Sequence, residues 1–315
     1  MNEALLKKRN SKFFLAFILT FTCVTTHASL CKEWSPAIEV GKLSTSAIDE
    51  QSGAAASATY PRLFHNNDSG DLAKIYVTDL TGKLLSTVQY SDQIPLDVED
   101  LGYGKCDASR AKNCIYVGDI GDNLGIRPAL AFHVIEEQSV WPAKVSSLRT
   151  IFVRFPDGNH DTEAFAIHPN GDLILITKAY AGKVALRANI YRLEAKKVYA
   201  GGAQFFTKIG ELDIPKITGS DQYKQSVATS LSIAPDGKSF LVLTYSSVIE
   251  VDFDFSRGNF PAALTRGLDY QIINVKTLPQ MEGITHSSDG KSFYYSSESS
   301  KKEGVPLMNV RCLTN

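Results

Sequence analysis

The chain has 315 residues, 43% of them hydrophobic, and carries 33 basic against 34 acidic side chains for a formal net charge of −1. So even a balance, without basic clusters beyond the first dozen residues, excludes the electrostatic footprint of a nucleic-acid binder or of a polybasic membrane surface. The length suits one large domain or two ordinary ones, and no linker-like stretch divides it.

At the N-terminus, Lys7, Lys8, Arg9 and Lys12 precede the apolar run from Phe13 to Val24, and Thr26-His27-Ala28 gives a small-x-small cleavage pattern. That run is roughly a dozen residues against the ~20 a bilayer span needs. We therefore expect a signal peptide over 1–28 rather than an anchor, and a single domain over 29–315. The mature protein is expected to be periplasmic or secreted, monomeric and without a membrane span. Leu30 stands where a lipid-attachment box before Cys31 would want a small residue. Cys23 leaves with the signal, so Cys31, Cys106, Cys114 and Cys312 remain, an even set in an oxidising compartment. Three pairings are possible. The favoured one joins Cys106 to Cys114 around a short polar loop and Cys31 to Cys312 across the chain ends; four buried free thiols are the alternative. No C-x-x-C or paired-histidine spacing suggests zinc.

From Glu50 onward the chain reads as short strands of Val, Ile, Leu, Phe and Tyr between Gly, Pro, Asn and Asp turns. They fall into groups of four. The first covers about Glu50–Ser57, Arg62–Asn66, Ala73–Asp79 and Leu84–Tyr90, and the second Glu99–Gly102, Cys114–Asp119, Ala129–Glu136 and Leu148–Phe155. The third begins at Glu163 and turns at P-N-G-D, and the fourth begins at Val227 and turns at P-D-G-K. The fifth begins at Glu282, turns at S-D-G-K and runs out after three strands. A surplus strand near Ile38–Leu43 can fill that gap. Closure of a ring by strands from both termini is how a β-propeller of four-stranded blades is completed. We expect an all-β propeller of five blades, or six if the segments 136–148 and 215–225 hide strands; a two-sheet sandwich is the alternative.

A carboxylate recurs at the strand heads: Glu50, Glu99, Glu163 and Glu282, with Thr229 in the fourth group. Glu163, Thr229 and Glu282 each lie eight residues before the turn glycine, which fixes their equivalence. First strands of propeller blades line the central channel, so these four acids are expected to converge there. Like charges so packed require raised pKa values or a cation, and an all-oxygen set favours calcium. The competing reading has them bond neighbouring backbone amides and only fasten the ring. Asp97, Asp100 and Asp161 flank the same strand heads, and two Asp/Asn/Gly-rich clusters, 65–71 and 118–123, follow second strands. These clusters suit either a cation-wrapping loop or Asx turns.

The ordered motifs E-x-S-G, N-D-S-G-D, D-x-E-D-L, G-D-I-G-D-N-x-x-x-R, D-x-E-A, S-I-A-P-D-G, T-Y and E-G-I, over about Glu50–Glu298, resemble those of exported bacterial β-propellers described as phytase-like or esterase-like. They are similar to the SdiA-regulated calcium-binding propellers. The resemblance implies polar functional positions at Glu50, Asn67, Asp68, Glu99, Asp119, Asp122, Asn123, Arg127, Glu163, Lys178, Glu282 and Glu298. It departs at Leu243, which precedes Thr244-Tyr245 where the pattern carries an arginine.

Two functions follow. One is a calcium-holding module, with the metal on Glu50, Glu99, Glu163 and Glu282, whose face binds a small anionic ligand or an extracytoplasmic protein. The other is a metal-dependent phosphoester or carboxylic ester hydrolase, with Glu99 or Glu163 as base and Arg127 and Lys178 stabilising negative charge. No G-x-S-x-G elbow supports a serine esterase. His65, His160, His168 and His286 read as surface or hydrogen-bonded groups.

Overall fold

The computed structural model describes residues 30–44, 46–298 and 304–314, so the expected signal peptide and Cys23 lie outside the described residues. Five antiparallel sheets form five blades, each running outward from an innermost strand. Blade one is Gln51–Ala56, Arg62–Asn67, Lys74–Asp79 and Leu84–Gln89. Blade two is Val98–Lys105, Asn113–Asp119, Leu130–Glu136 and Arg149–Arg154. Its outer edge takes a fifth strand in parallel, Gly202–Phe205. Blade three is Thr162–Ile167, Leu173–Thr177, Ala188–Leu193 and Thr207–Leu212. Blade four is Ser230–Ile233, Ser239–Leu243, Val248–Asp252 and Tyr270–Ile273. Blade five is Met281–His286, Ser292–Ser297 and Val305–Thr314, completed on its outer side by Ile38–Leu43 and Glu33–Trp34.

The strand patterning explains the ring. Alternate residues of each strand face opposite blades, so apolar side chains on both faces produce a core at every blade-to-blade seam. Phe64, Val77 and Val117 fill the first seam, Phe132, Phe165 and Leu175 the next, and Ile176, Phe240 and Val242 the third. Leu241, Ile284 and Phe293 fill the fourth, while Leu43, Ile48, Tyr76 and Val305 seal the last. In blades three, four and five the first turn places Gly171, Gly237 and Gly290 at φ of 101°, 76° and 69°, a backbone region glycine enters without steric cost. That shared requirement is why the P-N-G, P-D-G and S-D-G turns kept the blades in register. Segment 136–148 adds no named strand, and 214–226 contains the helical turns Ile214–Thr218 and Tyr223–Ser226.

Closure follows the expected route. Ile38–Leu43 pairs antiparallel with the last strand, Ile38 opposite Asn309 and Leu43 opposite Val305. Disulfides join Cys31 to Cys312 and Cys106 to Cys114, with Cα separations of 5.8 and 5.0 Å. Buried Glu250 of blade four accepts hydrogen bonds from Trp34 Nε1 at 2.9 Å and from the Cys31 N–H at 3.3 Å, tying the first residues across the seam. The two disulfides should differ in weight, because one spans 281 residues of sequence and the other 8. Replacing Cys31 and Cys312 by Ser is expected to cost about 2–4 kcal/mol, and Cys106 with Cys114 less, since the longer closed loop removes more denatured-state entropy. Urea titration of the two double variants measures the difference.

Candidate functional site

The channel's acidic end is built by a repeated irregularity at the heads of innermost strands. Pairing register shifts between Gln51 and Gly53, Val98 and Asp100, Thr162 and Ala164, and Met281 and Gly283. Each shift leaves one residue bulged: Ser52, Glu99, Glu163 and Glu282. A bulge re-aims its side chain and raises the local twist. Thr229 holds the corresponding place in blade four, with its N–H donating to Leu243 O at 2.9 Å and its hydroxyl to Met281 O at 2.8 Å.

This register corrects the expectation for blade one. Glu50 lies two residues before the bulge and is exposed, so the channel position belongs to Ser52, which is buried. The inward set is therefore Ser52, Glu99, Glu163, Thr229 and Glu282. In blades one and five the physical cause is the glycine that follows the bulge. Gly53 has no room for a side chain, since a Cβ there would lie 2.5 Å from Asp100 Cα, and a Cβ on Gly283 would lie 2.4 Å from Gln51 Nε2.

Around this set the carboxylates gather unevenly. Carboxylate oxygens of Asp68, Asp97 and Glu99 all lie within 4.8 Å of one another. Glu99 is buried and accepts a 2.9 Å hydrogen bond from Ser52 Oγ. Gly121 floors the cluster: a Cβ there would come within 2.2 Å of Asp97 Oδ2 and 2.5 Å of Glu99 Oε1. Burial, reinforced by Asp68 and Asp161 and opposed by Arg127, pushes Asp97 up to about 6. Burial and the charges of Asp68 and Asp97 hold Glu99 well above the usual carboxylate range. Glu282 is raised likewise, by burial and by Glu298 and Asp68.

Among the described residues, one cation enters this acid ring. Lys178, at the end of its strand, forms a buried ion pair with Glu163 and lies 3.2 Å from the Tyr245 hydroxyl. Its ammonium also sits 5.6 Å from the ring centres of both Tyr223 and Tyr245. Burial works to lower the Lys178 pKa, but the Tyr223 hydroxyl, Glu99 and Asp161 outweigh it and keep the ammonium charged. Even so, Glu163 Oε2 and Glu282 Oε2 are buried without any hydrogen-bond partner. Unpartnered buried carboxylate oxygens are costly.

The other expected positions hold loops. Arg127 pairs with Asp119 at 2.8 Å and donates to Gly121 O at 2.7 Å and Asp119 O at 3.0 Å. Asp119 also accepts the N–H groups of Leu96 and Asp97, and Asp122 those of Ile126 and Arg127. Asn67 donates to Ala47 O at 3.0 Å and Asp49 at 3.2 Å, so it secures the 47–49 turn. Asn123 is exposed at its loop tip, and Glu298, half-buried, is bonded by Gln280. Arg127 is thus committed to shaping the mouth rather than facing it.

Asp100 was expected only as an oxygen near the entrance, and it does something else. Fully buried, it reaches across the channel to accept from Phe165 N–H in blade three at 3.2 Å and Leu231 N–H in blade four at 3.2 Å. The Ser230 hydroxyl lies 3.1 Å from both its oxygens, and its own neighbour's Leu101 N–H donates at 2.9 Å. The amide-bonding role foreseen for the glutamates is carried by this aspartate.

No protein-family model matches the sequence, and no curated protein matches it. Among solved structures, 85% of the chain is similar to 97% of a Kuenenia stuttgartiensis hydrazine synthase chain, at 12% identity and a TM-score of 0.45. The architecture stands on the strand order and register given above.

Proposed function

We propose that this protein is an exported calcium-holding β-propeller that acts as a binding module through the acidic mouth of its channel. The observation that carries this reading is the Asp68–Asp97–Glu99 cluster, oxygen-only and within 4.8 Å, beside buried carboxylate oxygens of Glu163 and Glu282 that no hydrogen bond among the described residues satisfies. A hard divalent cation suits such donors. Asp68, Asp97 and Glu99 would hold it, and it would offset the clustered charge and attract an anionic group. The two disulfides agree with an oxidising compartment. Among the described residues no helix is long and apolar enough to cross a membrane.

The mouth's rim favours a partner. Ile94, Leu96, Leu124 and Ile126 are 68%, 69%, 80% and 71% exposed on the two loops that Asp119 and Asp122 anchor. Large apolar side chains left this exposed beside one another mark an interaction face. Phosphoester hydrolysis is the weaker reading, because Lys178 is engaged by Glu163 and Arg127 by Asp119, leaving neither to meet a phosphate alone.

Melting curves test the metal reading. Chelator is expected to lower the melting temperature of the native protein, and Glu99→Gln to remove that sensitivity while keeping the fold. An unchanged curve with chelator would reject calcium. Turnover of aryl phosphates, phytate or aryl esters, lost in Glu163→Gln, would replace the binding module with the hydrolase.

A further inference from the structure

The opposite end of the channel is a different environment. A cavity of about 400 Å³ opens there, in the size range that takes drug-sized ligands. All five innermost strands contribute to it beyond the Asp100 crossing, with Ala54, Ala56, Leu101, Ile167, Leu231 and Ile233 giving it an apolar wall. Asp100 and its donors separate it from the acid cluster, so neither end depends on the other for its chemistry.

One polar group in that wall lacks a partner on its outer edge. His286, 7% exposed, has its backbone N–H bonded to Ser232 Oγ at 2.9 Å, and the same oxygen lies 2.9 Å from its Nδ1. The Ser232 hydroxyl proton has no other acceptor among the described residues, which assigns it to Nδ1 and places the ring's own proton on Nε2. Burial lowers the His286 pKa to about 4, so the ring is neutral at physiological pH. No described group accepts from Nε2–H. By contrast, His168, also at this end, has both nitrogens engaged, by the Asn170 N–H at 3.2 Å and by Gly237 O at 3.2 Å.

We propose that this cavity is a second ligand site, which takes an uncharged molecule with an apolar body and one hydrogen-bond acceptor, such as a ketone or ester carbonyl, set against His286 Nε2–H. Lys105 and Arg110 also line the cavity, Arg110 donating to Pro169 O at 2.7 Å; at His286 itself an anion gains little from a neutral donor, and a plain hydrocarbon would leave that donor unsatisfied. A carbonyl on an apolar body meets both conditions.

Titration of the full chain with 4-phenyl-2-butanone, followed by ligand-observed NMR in the presence of chelator, tests this, with butylbenzene as the acceptor-free control. Saturable ketone binding is expected. His286→Leu should weaken the ketone roughly three- to tenfold and leave butylbenzene unweakened, the size of one hydrogen bond to a neutral donor. Ala56→Phe, a change on the half-buried wall, should weaken both ligands by filling the space. Circular dichroism and melting confirm that each variant is folded. Absence of saturable ketone binding, an equal loss of both ligands in His286→Leu, or undiminished binding in Ala56→Phe would overturn the proposal. Because chelator is present throughout, failure here leaves the calcium reading at the other mouth untouched.

Discussion

Asp100→Ala is expected to destabilise the fold by about 3–5 kcal/mol, read as a lower urea midpoint, and to be among the most damaging single substitutions in the chain. The carboxylate accepts from Leu101, Phe165 and Leu231 N–H groups and from the Ser230 hydroxyl, on three different blades. Truncation would strand those donors at the axis, where no protein group can replace the lost acceptor. Burial raises the Asp100 pKa well above the ordinary range, against the pull of those same donors. Asp100→Asn is also expected to be costly, since its amide N–H would face other N–H groups. A loss below about 1 kcal/mol for both variants, the scale of an ordinary surface substitution, would show that the five blades hold their angles without this crossing.

The second large effect couples calcium to pH. Asp97, Glu99 and Glu282 have folded pKa values above their unfolded ones, Asp97 at about 6. An acid of this kind binds its proton more tightly in the folded state. In the metal-free protein its stabilising share is therefore complete below pH ~4 and falls as pH rises through the folded value. His65, His133 and His286 act in the opposite direction, because burial lowers their pKa values and the unfolded chain takes up protons below pH ~6.5. Comparing calcium with chelator at each pH cancels the histidines. Calcium must displace protons from the carboxylates, so its stabilising increment should be small at pH 5 and grow towards pH 8. At a hundred- to thousandfold excess over the dissociation constant it should reach about 3–4 kcal/mol. An increment that is flat or shrinks with rising pH would contradict a cation held by these raised carboxylates.

Much of the fold was legible because turn chemistry and strand patterning repeat. The glycine turns of blades three to five aligned Glu163, Thr229 and Glu282 correctly, and the surplus Ile38–Leu43 strand announced the closure that the Cys31–Cys312 bridge fastens. Blade one carries no such turn glycine at the corresponding place, and there the expected ring position, Glu50, falls two residues before the bulged Ser52. The signal that would have corrected it is the small residue after the inward position: Ser52-Gly53, Glu163-Ala164, Thr229-Ser230 and Glu282-Gly283. Close approach of neighbouring innermost strands demands it, as the contacts of Gly53 and Gly283 show. Glu99-Asp100 breaks the rule because Asp100 uses the position to cross the axis. That role, the neutral face of His286 and the loop-holding roles of Arg127 and Asn67 depend on partners 50 to more than 100 residues away or on turn detail, neither of which spacing encodes.

Isothermal titration of calcium into chelator-stripped protein at pH 7.5 addresses the cation most directly. Saturable binding of one ion per chain, lost in Glu99→Gln and in Asp68→Asn, is the expected result. Absence of binding heat, together with no metal in elemental analysis of the protein as purified, would contradict a cation at the acidic mouth.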